Sequence, residues 1–410
     1  MDDTAPDAPC PDAPPPDTHL PDTPPSGGLI GLLIAAVVTV GSNALLLSPI
    51  LIDVARDFGT DTVTIARVIS AYGAATAISA LFLSTAVDRF GARPVLVATT
   101  AVMALALAAS AAAPAWPVLA AAQMLAGITA GMLLPAIYAT ATSLGGAARG
   151  ARVLGRVLNG WAISLVAGVP ASAAITDLAG WRVAYVVLAA IAAATCLGCR
   201  RLPPAPARDR AGPTRHRVAS PLATLRRPGV ASLLVVCLTF MSAFYGCYAF
   251  VGDAFRRALD LDAGTAGLFV LAYGAGFGLA SLAAPLIDRI GPARLLPRVM
   301  VAIAGVYLIL DPALHGFPTA LAVAAIWGMV NHLGLNMLVL LLSRRAAGAG
   351  GAVMGLHSAV TYTAVFLGPL LLGLAYEGIG FGAVAGAAAA AALIGAGAAW
   401  RDARRWPASH

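Results

Sequence analysis

The sequence predicts an all-α membrane protein of twelve transmembrane helices, arranged as two pseudo-symmetric six-helix bundles. Three observations predict it. The chain is more apolar than a water-soluble domain can bury. Its apolar runs are long enough to span a bilayer, with arginines concentrated on one side. Landmarks in the first half recur in the second at an offset of about 200 residues.

Of 410 residues, 59% are hydrophobic and 11% charged. Soluble domains run at roughly 45–50% and about 25%. A spanning helix uses about 20 apolar residues, so twelve need roughly 240. The net charge is +7 and every basic residue is arginine. These arginines sit in short runs between apolar segments, the footprint of membrane topology rather than of a nucleic-acid surface. A lipid bilayer is therefore the expected surrounding, and no nucleic-acid partner is expected. Cys196 and Cys199 form a lone C-x-x-C at the end of an apolar run. With no second ligand pair, they predict helix packing, and no metal or cofactor is expected.

Residues 1–28 are rich in Pro and Asp and predict a disordered tail. They lack the basic segment of a signal peptide. The first span runs over 29–52, followed by spans at 65–87, 94–113, 117–141, 154–176 and 182–199. A basic, Pro-rich linker covers 200–229. The second set lies at 230–251, 264–287, 294–311, 317–342, 351–376 and 380–400, with a tail at 401–410. The expected organisation is thus a bundle over 29–199 and another over 230–400. With both termini in the cytoplasm, 21 of the 26 arginines fall inside; only Arg56, Arg67, Arg182, Arg256 and Arg257 fall outside. That asymmetry supports the span count and the orientation.

The repeat carries three landmarks in the same order. Asp53 and Arg56 recur as Asp253 and Arg256, and Ala71-Tyr72-Gly73-Ala74 recurs as Ala272-Tyr273-Gly274-Ala275. Asp88-Arg89-Phe90-Gly91-Ala92-Arg93 recurs as Asp288-Arg289-Ile290-Gly291-Pro292-Ala293-Arg294. Parallel six-helix repeats are one architecture of secondary transporters, with substrate held near the midplane between the halves.

The stretch after the second span resembles the loop motif G-x-x-x-D-R-x-G-R-R of the major facilitator superfamily. It matches at Asp88, Arg89, Gly91 and Arg93 and departs at Ser84 and Ala92. The fifth span carries Gly168-Val169-Pro170, followed by Gly180-Trp181-Arg182. This pattern is similar to the arabinose-efflux-like permeases of the drug:proton antiporter group. The resemblance implies a gate at Asp88, Arg89, Gly91 and Arg93, with a second copy at Asp288, Arg289, Gly291 and Arg294. It also implies that spans 1, 4, 7 and 10 line a substrate cavity. The group often has an arginine in the fourth span four residues before a glycine; here Gln123 precedes Gly127.

On those spans the polar groups are Ser42, Asn43, Gln123, Thr129, Ser242, Tyr245, Tyr248, Asn331, His332 and Asn336. Polar groups in lipid are costly unless they pair or serve a ligand. The cavity candidates are Asn43, Gln123, Ser242, Tyr245, Asn331, His332 and Asn336, balanced against interhelical hydrogen bonding. His332 and Asn336 are four apart and share a face. No carboxylate sits mid-span, so the candidates for proton coupling are His332 and, at the outer ends of spans 1 and 7, Asp53 and Asp253. Gly127, Gly131, Gly274, Gly276 and Gly278 predict close helix approach. The expected function is proton-driven efflux of a small molecule, a drug, sugar or metabolite, by a monomer in a bacterial inner membrane. The alternatives are uptake symport on the same fold and a receptor or scaffold that does not transport.

Overall fold

The computed structural model describes residues 27–83, 90–201, 225–280, 289–345 and 350–406. The N-terminal tail through residue 26, most of the linker, Asp88, Arg89, Asp288 and residues 407–410 lie outside them. The first half holds α1 (Gly27–Leu46), α2 (Leu51–Asp57), α3 (Thr62–Phe82), α4 (Ala92–Ala111), α5 (Trp116–Ile163), a π-helical segment (Ser164–Gly168), α6 (Val169–Ala179) and α7 (Trp181–Cys199). The second holds α8 (Val230–Leu259), α9 (Ala263–Leu279), α10 (Pro292–Ala313), α11 (Phe317–Arg345), α12 (Gly350–Gly378) and α13 (Phe381–Arg405). Among the described residues eleven helical segments are long and apolar enough to cross a membrane, and α9 is a shorter apolar helix. Together they make the twelve spans the sequence predicts.

Two local features differ from a plain reading of apolar runs. The first span is broken between α1 and α2 at Ser48-Pro49, because proline offers no backbone N–H and clashes with the preceding turn. Spans 4 and 5 are joined by helical backbone. Yet a Cβ on Gly150 would lie 2.7 Å from the carbonyl oxygen of Thr142. In a straight helix those residues are roughly 12 Å apart, so the chain folds back between them. The π-helical turn comes just before Pro170, whose missing N–H removes one rung of the helical ladder. It also brings Gly168 of the fifth-span motif against the Ser42 hydroxyl of α1, where any Cβ would overlap it.

The repeat is carried into three dimensions. Gly91 and Gly291 start α4 and α10 with φ of 85° and 88°, and Gly180 and Gly380 start α7 and α13 with φ of 88° and 112°. These values suit glycine, which explains why the loop-motif glycine appears in both copies. Gly127 of α5 lies against the Tyr72 carbonyl of α3, and its counterpart Gly328 of α11 lies against the Tyr273 carbonyl of α9. A Cβ at either position would overlap that oxygen. Of the other glycines predicted to permit close approach, Gly131, Gly274 and Gly276 do so, while nothing lies within 4 Å of a Cβ on Gly278.

Each half packs internally, with α5 on α1, α3 and α4 in the first, and α8 and α10 on α13 in the second. The halves meet along two seams. One joins α3 to α12, and the other joins α6 and the π segment to α9. The seams are themselves related by the repeat: Gly73 faces Val365 and Phe366 of α12, and Gly274 faces Leu165 and Val166.

Candidate functional site

Among the described residues, polar connections between the halves concentrate at the arginine-poor end. The Arg256 guanidinium of α8 pairs with the Asp53 carboxylate of α2, with Nη2 donating to Oδ1 at 3.1 Å. Its Nη1 also donates to the Pro49 carbonyl at 3.2 Å and its Nε to the Leu261 carbonyl at 3.1 Å. Arg256 is only 7% exposed. One turn back, Asp253 is fully buried and accepts from Arg257 Nε at 2.9 Å, from the Thr62 hydroxyl of α3 at 3.2 Å and from the Tyr376 hydroxyl of α12. Thus Asp53 and Asp253, paired by the repeat, both sit at the junction of the halves, and each is held by an arginine of α8.

Two further contacts complete this end. The Ser48 hydroxyl donates to the Tyr248 carbonyl, and a Cβ on Gly252 would lie 2.6 Å from the Ser48 carbonyl oxygen. The break at Pro49 is what brings the chain this close. On the other seam, Asp177 at the end of α6 accepts from the backbone N–H of Ala263 at 2.9 Å and from that of Gly264. It caps α9 alongside that helix's own N-cap, Asp262, which accepts from Thr265 N–H at 2.6 Å. A carboxylate here meets both unpaired N–H groups and the positive end of the helix dipole. Asp262 lies outside the spans, and its hydrogen bonds with Thr265 hold its carboxyl below the usual range.

Midway along the bundle the two halves contribute aromatic groups. Tyr362 of α12 lies within electrostatic range of Tyr72 of α3, Tyr138 of α5 and Tyr245 of α8. The Tyr138 hydroxyl accepts from the Trp161 indole N–H at 3.1 Å. Trp161 and Tyr362 fall at corresponding places in the repeat, one in each half. Tyr138, Trp161, Tyr245 and Tyr362 are half-buried, whereas Tyr72 is buried and its hydroxyl has no protein partner. Behind Tyr245, Phe244 stacks on Tyr273 at 5.7 Å, and Trp327 meets Tyr273 edge-on at 5.1 Å. Asn331 donates to the Tyr273 hydroxyl at 3.1 Å, while its Oδ1 has no protein partner. Ser242 is half-buried on α8, one helical turn before Gly246, where a Cβ would lie 2.8 Å from the Gly368 carbonyl of α12.

The other predicted cavity residues are placed differently. Asn43 and Gln123 bond each other reciprocally at 3.0 and 3.2 Å, and Gln123 also donates to the Ser110 hydroxyl at 3.0 Å. All three are buried within the first half. Asn336 does share a face with His332, donating to its Nε2 at 2.7 Å, and His332 meets the Phe277 ring edge-on at 4.4 Å. His332 is the counterpart of Gly131, which packs on α3, and it likewise packs on α9. Its helix packs on α8, α9, α10 and α12, all of its own half.

Sequence reasoning missed Tyr138, Trp161, Tyr362, Asp177 and His357. His357 lies on α12, outside the four spans expected to line a cavity. Its Nε2 is buried without a protein partner, and its carbonyl accepts from Thr361, whose hydroxyl is 3.5 Å from Cys237 Sγ of α8. The signal available was the Tyr72/Tyr273 repeat, which marked the level of the aromatic layer.

At the arginine-rich end, Arg93 Nη2 donates to the Arg200 carbonyl, while Arg289 and Arg294 are exposed. A second cluster joins α11, α13 and α8. Buried Asp402 accepts from Arg345 at 3.2 Å and from the Ser232 hydroxyl at 2.7 Å.

The sequence model of the Major Facilitator Superfamily matches residues 32–369. The chain belongs to the Major Facilitator Superfamily. It is a multi-pass membrane transporter of that family's fold. It is 27% identical over 363 residues to the uncharacterized MFS-type transporter YwfA of Bacillus subtilis, covering 88% of both chains. It is 29% identical over 380 residues to the transcription regulatory protein OpdE of Pseudomonas aeruginosa, covering 90% of this chain and 92% of that one. A chloramphenicol efflux pump of Mycobacterium tuberculosis is 25% identical over 334 residues, covering 79% and 80%. Among solved structures, a bacterial homologue of the human lysosomal transporter Spinster, inward-facing and occupied, superposes with a TM-score of 0.71 at 13% identity, covering 93% of this chain and 97% of that one. The human organic anion transporter MFSD10 gives 0.70 at 16% identity, covering 92% and 100%.

Proposed function

We propose that the protein is a proton-coupled exporter of small molecules, working by alternating access. The observation that carries this reading is the concentration, among the described residues, of cross-half ionic and hydrogen bonds at the arginine-poor end. By the positive-inside rule that end faces outward in a bacterial inner membrane, with both termini cytoplasmic. Asp53–Arg256, the Asp253 cluster and the Asp177 cap then act as an outer gate, and the chain acts as a monomer. Asp88 and Arg89 with their second copy act at the opposite end, by resemblance. Substrate sits in the aromatic layer, where ring stacking contributes about 0.5–1.5 kcal/mol per pair beyond area burial. This favours a small aromatic amphiphile over a sugar, which needs many more hydrogen-bond partners.

Export rather than uptake is supported by relatives named as chloramphenicol efflux pumps in Mycobacterium tuberculosis, and by one named a chloramphenicol resistance protein in Streptomyces lividans. A membrane regulator that does not transport is a second reading, favoured by the name of the Pseudomonas relative. Accumulation of labelled chloramphenicol in expressing cells tests all three readings. Export predicts lower accumulation than in cells with an empty vector, restored by a protonophore. Raised accumulation would mean uptake, and no change for this or any other aromatic amphiphile in a panel would favour the regulator.

A further inference from the structure

We infer that His357 is the group that exchanges protons during transport; this rests on the proton-coupled reading above. Between the two charged ends, the deepest ionisable groups of the described spans, tyrosines and cysteines apart, are two imidazoles, His332 and His357. Each has one buried ring nitrogen without a protein partner, Nδ1 of His332 and Nε2 of His357; they differ in what their helices pack against. His332 occupies the place of a packing glycine in the repeat, on a helix that packs chiefly on its own half among the described residues. His357 lies seven residues into α12, the helix that forms a seam with α3 of the other half. That seam must change if the halves rock. One turn further along α12 come Thr361, in contact with Cys237, and Tyr362 of the aromatic layer.

The unpartnered Nε2 supplies the coupling. A neutral imidazole with one bare nitrogen tolerates burial, whereas an imidazolium N–H enclosed without an acceptor costs several kcal/mol. A proton can therefore reach Nε2 from water only when the seam hydrates, and must return to water before it closes. Occupancy by the proton and closure of the seam exclude each other. The titratable groups that the packed helices bring to α12 are Cys237, Tyr245 and Asp253 of α8, Tyr72 of α3 and Tyr138 of α5. None is hydrogen-bonded to His357 Nε2.

The test uses the full chain in proteoliposomes and nanodiscs, with tritiated chloramphenicol as the transport probe. His357→Gln keeps a hydrogen-bonding side chain but cannot titrate. It should lose gradient-driven flux at least tenfold while exchange without a gradient stays within twofold of wild type. His332→Gln should keep both. In histidine-labelled protein, the His357 imidazole carbon resonance, assigned by its absence in His357→Gln, should titrate between pH 5 and 8. An imidazole that stays neutral across that range overturns the proposal whatever the flux shows. So does undiminished gradient-driven flux in His357→Gln. A wild type that exchanges the probe but ignores the gradient overturns proton coupling itself, and with it the role of His357.

Discussion

Asp177 accepts a hydrogen bond from the backbone N–H of Ala263, so a carboxylate of the first half caps a helix of the second. The bond crosses the seam between α6 and α9 at the arginine-poor end, beside a charge that gains from the α9 dipole. Such a contact is worth about 0.3–1 kcal/mol, and up to about 2 when partly buried. Asp177→Asn keeps one acceptor and loses the charge. It should raise the labelling rate of a cysteine placed near that seam, at Pro170, by about 2- to 30-fold in right-side-out vesicles, the range those energies convert to. Unchanged labelling would leave Asp177 as a helix cap with no part in gating.

Arg256 and Asp53 form the more deeply buried connection. Removing one partner of a buried pair costs about 3–5 kcal/mol, since the other charge is left uncompensated. Arg256→Gln should therefore open the arginine-poor end more strongly than Asp177→Asn in the same labelling assay. Asp53→Asn with Arg256→Gln should recover part of the effect. A double variant as strongly altered as the sum of the two single ones would show that the residues do not act on each other.

The aromatic layer gives a prediction about substrate. Tyr245→Ala and Tyr362→Ala should each weaken export of an aromatic amphiphile by tenfold or more, through lost stacking area. The Phe variants should keep most of it. Drug-susceptibility curves in a host lacking its own efflux pumps measure this directly. If Phe is as damaging as Ala, the hydroxyls matter and the rings do not.

Glycine contacts predict stability. Gly328→Ala would force a Cβ into the Tyr273 carbonyl oxygen, a backbone atom that cannot step aside. It should lower the thermal midpoint by several degrees or abolish folded protein in detergent. Gly305→Ala meets nothing within 4 Å. It should be neutral or stabilising by up to about 1 kcal/mol, as alanine is the better helix former. Fluorescence-detected size exclusion after heating distinguishes the two.

Much of this architecture was legible in the sequence because bilayer thickness imposes a length on every span and the repeat is written twice. Asp53, Asp253 and Arg256 stood out as paired landmarks, and the structure brings Asp53 and Arg256 together. Asp177 did not, since an acidic residue at a span end reads like any solvated one until its neighbour's N-terminus is seen. Asn43 and Gln123 were cavity candidates weighed against interhelical hydrogen bonding, since polarity alone cannot say whether a residue faces a space or another polar residue; the structure shows the hydrogen bonds between them. Tyr138, Tyr362 and His357 were hidden for a related reason. In a helix that is apolar almost all round, hydropathy carries no rotation, so the face turned to the other half is decided only by packing. The break at Pro49 was visible as a proline but was absorbed into a long apolar run.

Alternating access about the aromatic layer is the central claim, and paired spin labels at the two ends of the bundle test it most directly. Leu178 and Ile379, exposed on opposite halves at the arginine-poor end, report on the outer gate. Leu197 and Trp400, exposed on opposite halves toward the arginine-rich end, report on the inner one. Across a pH series, and again in Arg256→Gln, one distance should lengthen as the other shortens. Two distances that move together, or that do not move at all, would contradict the account.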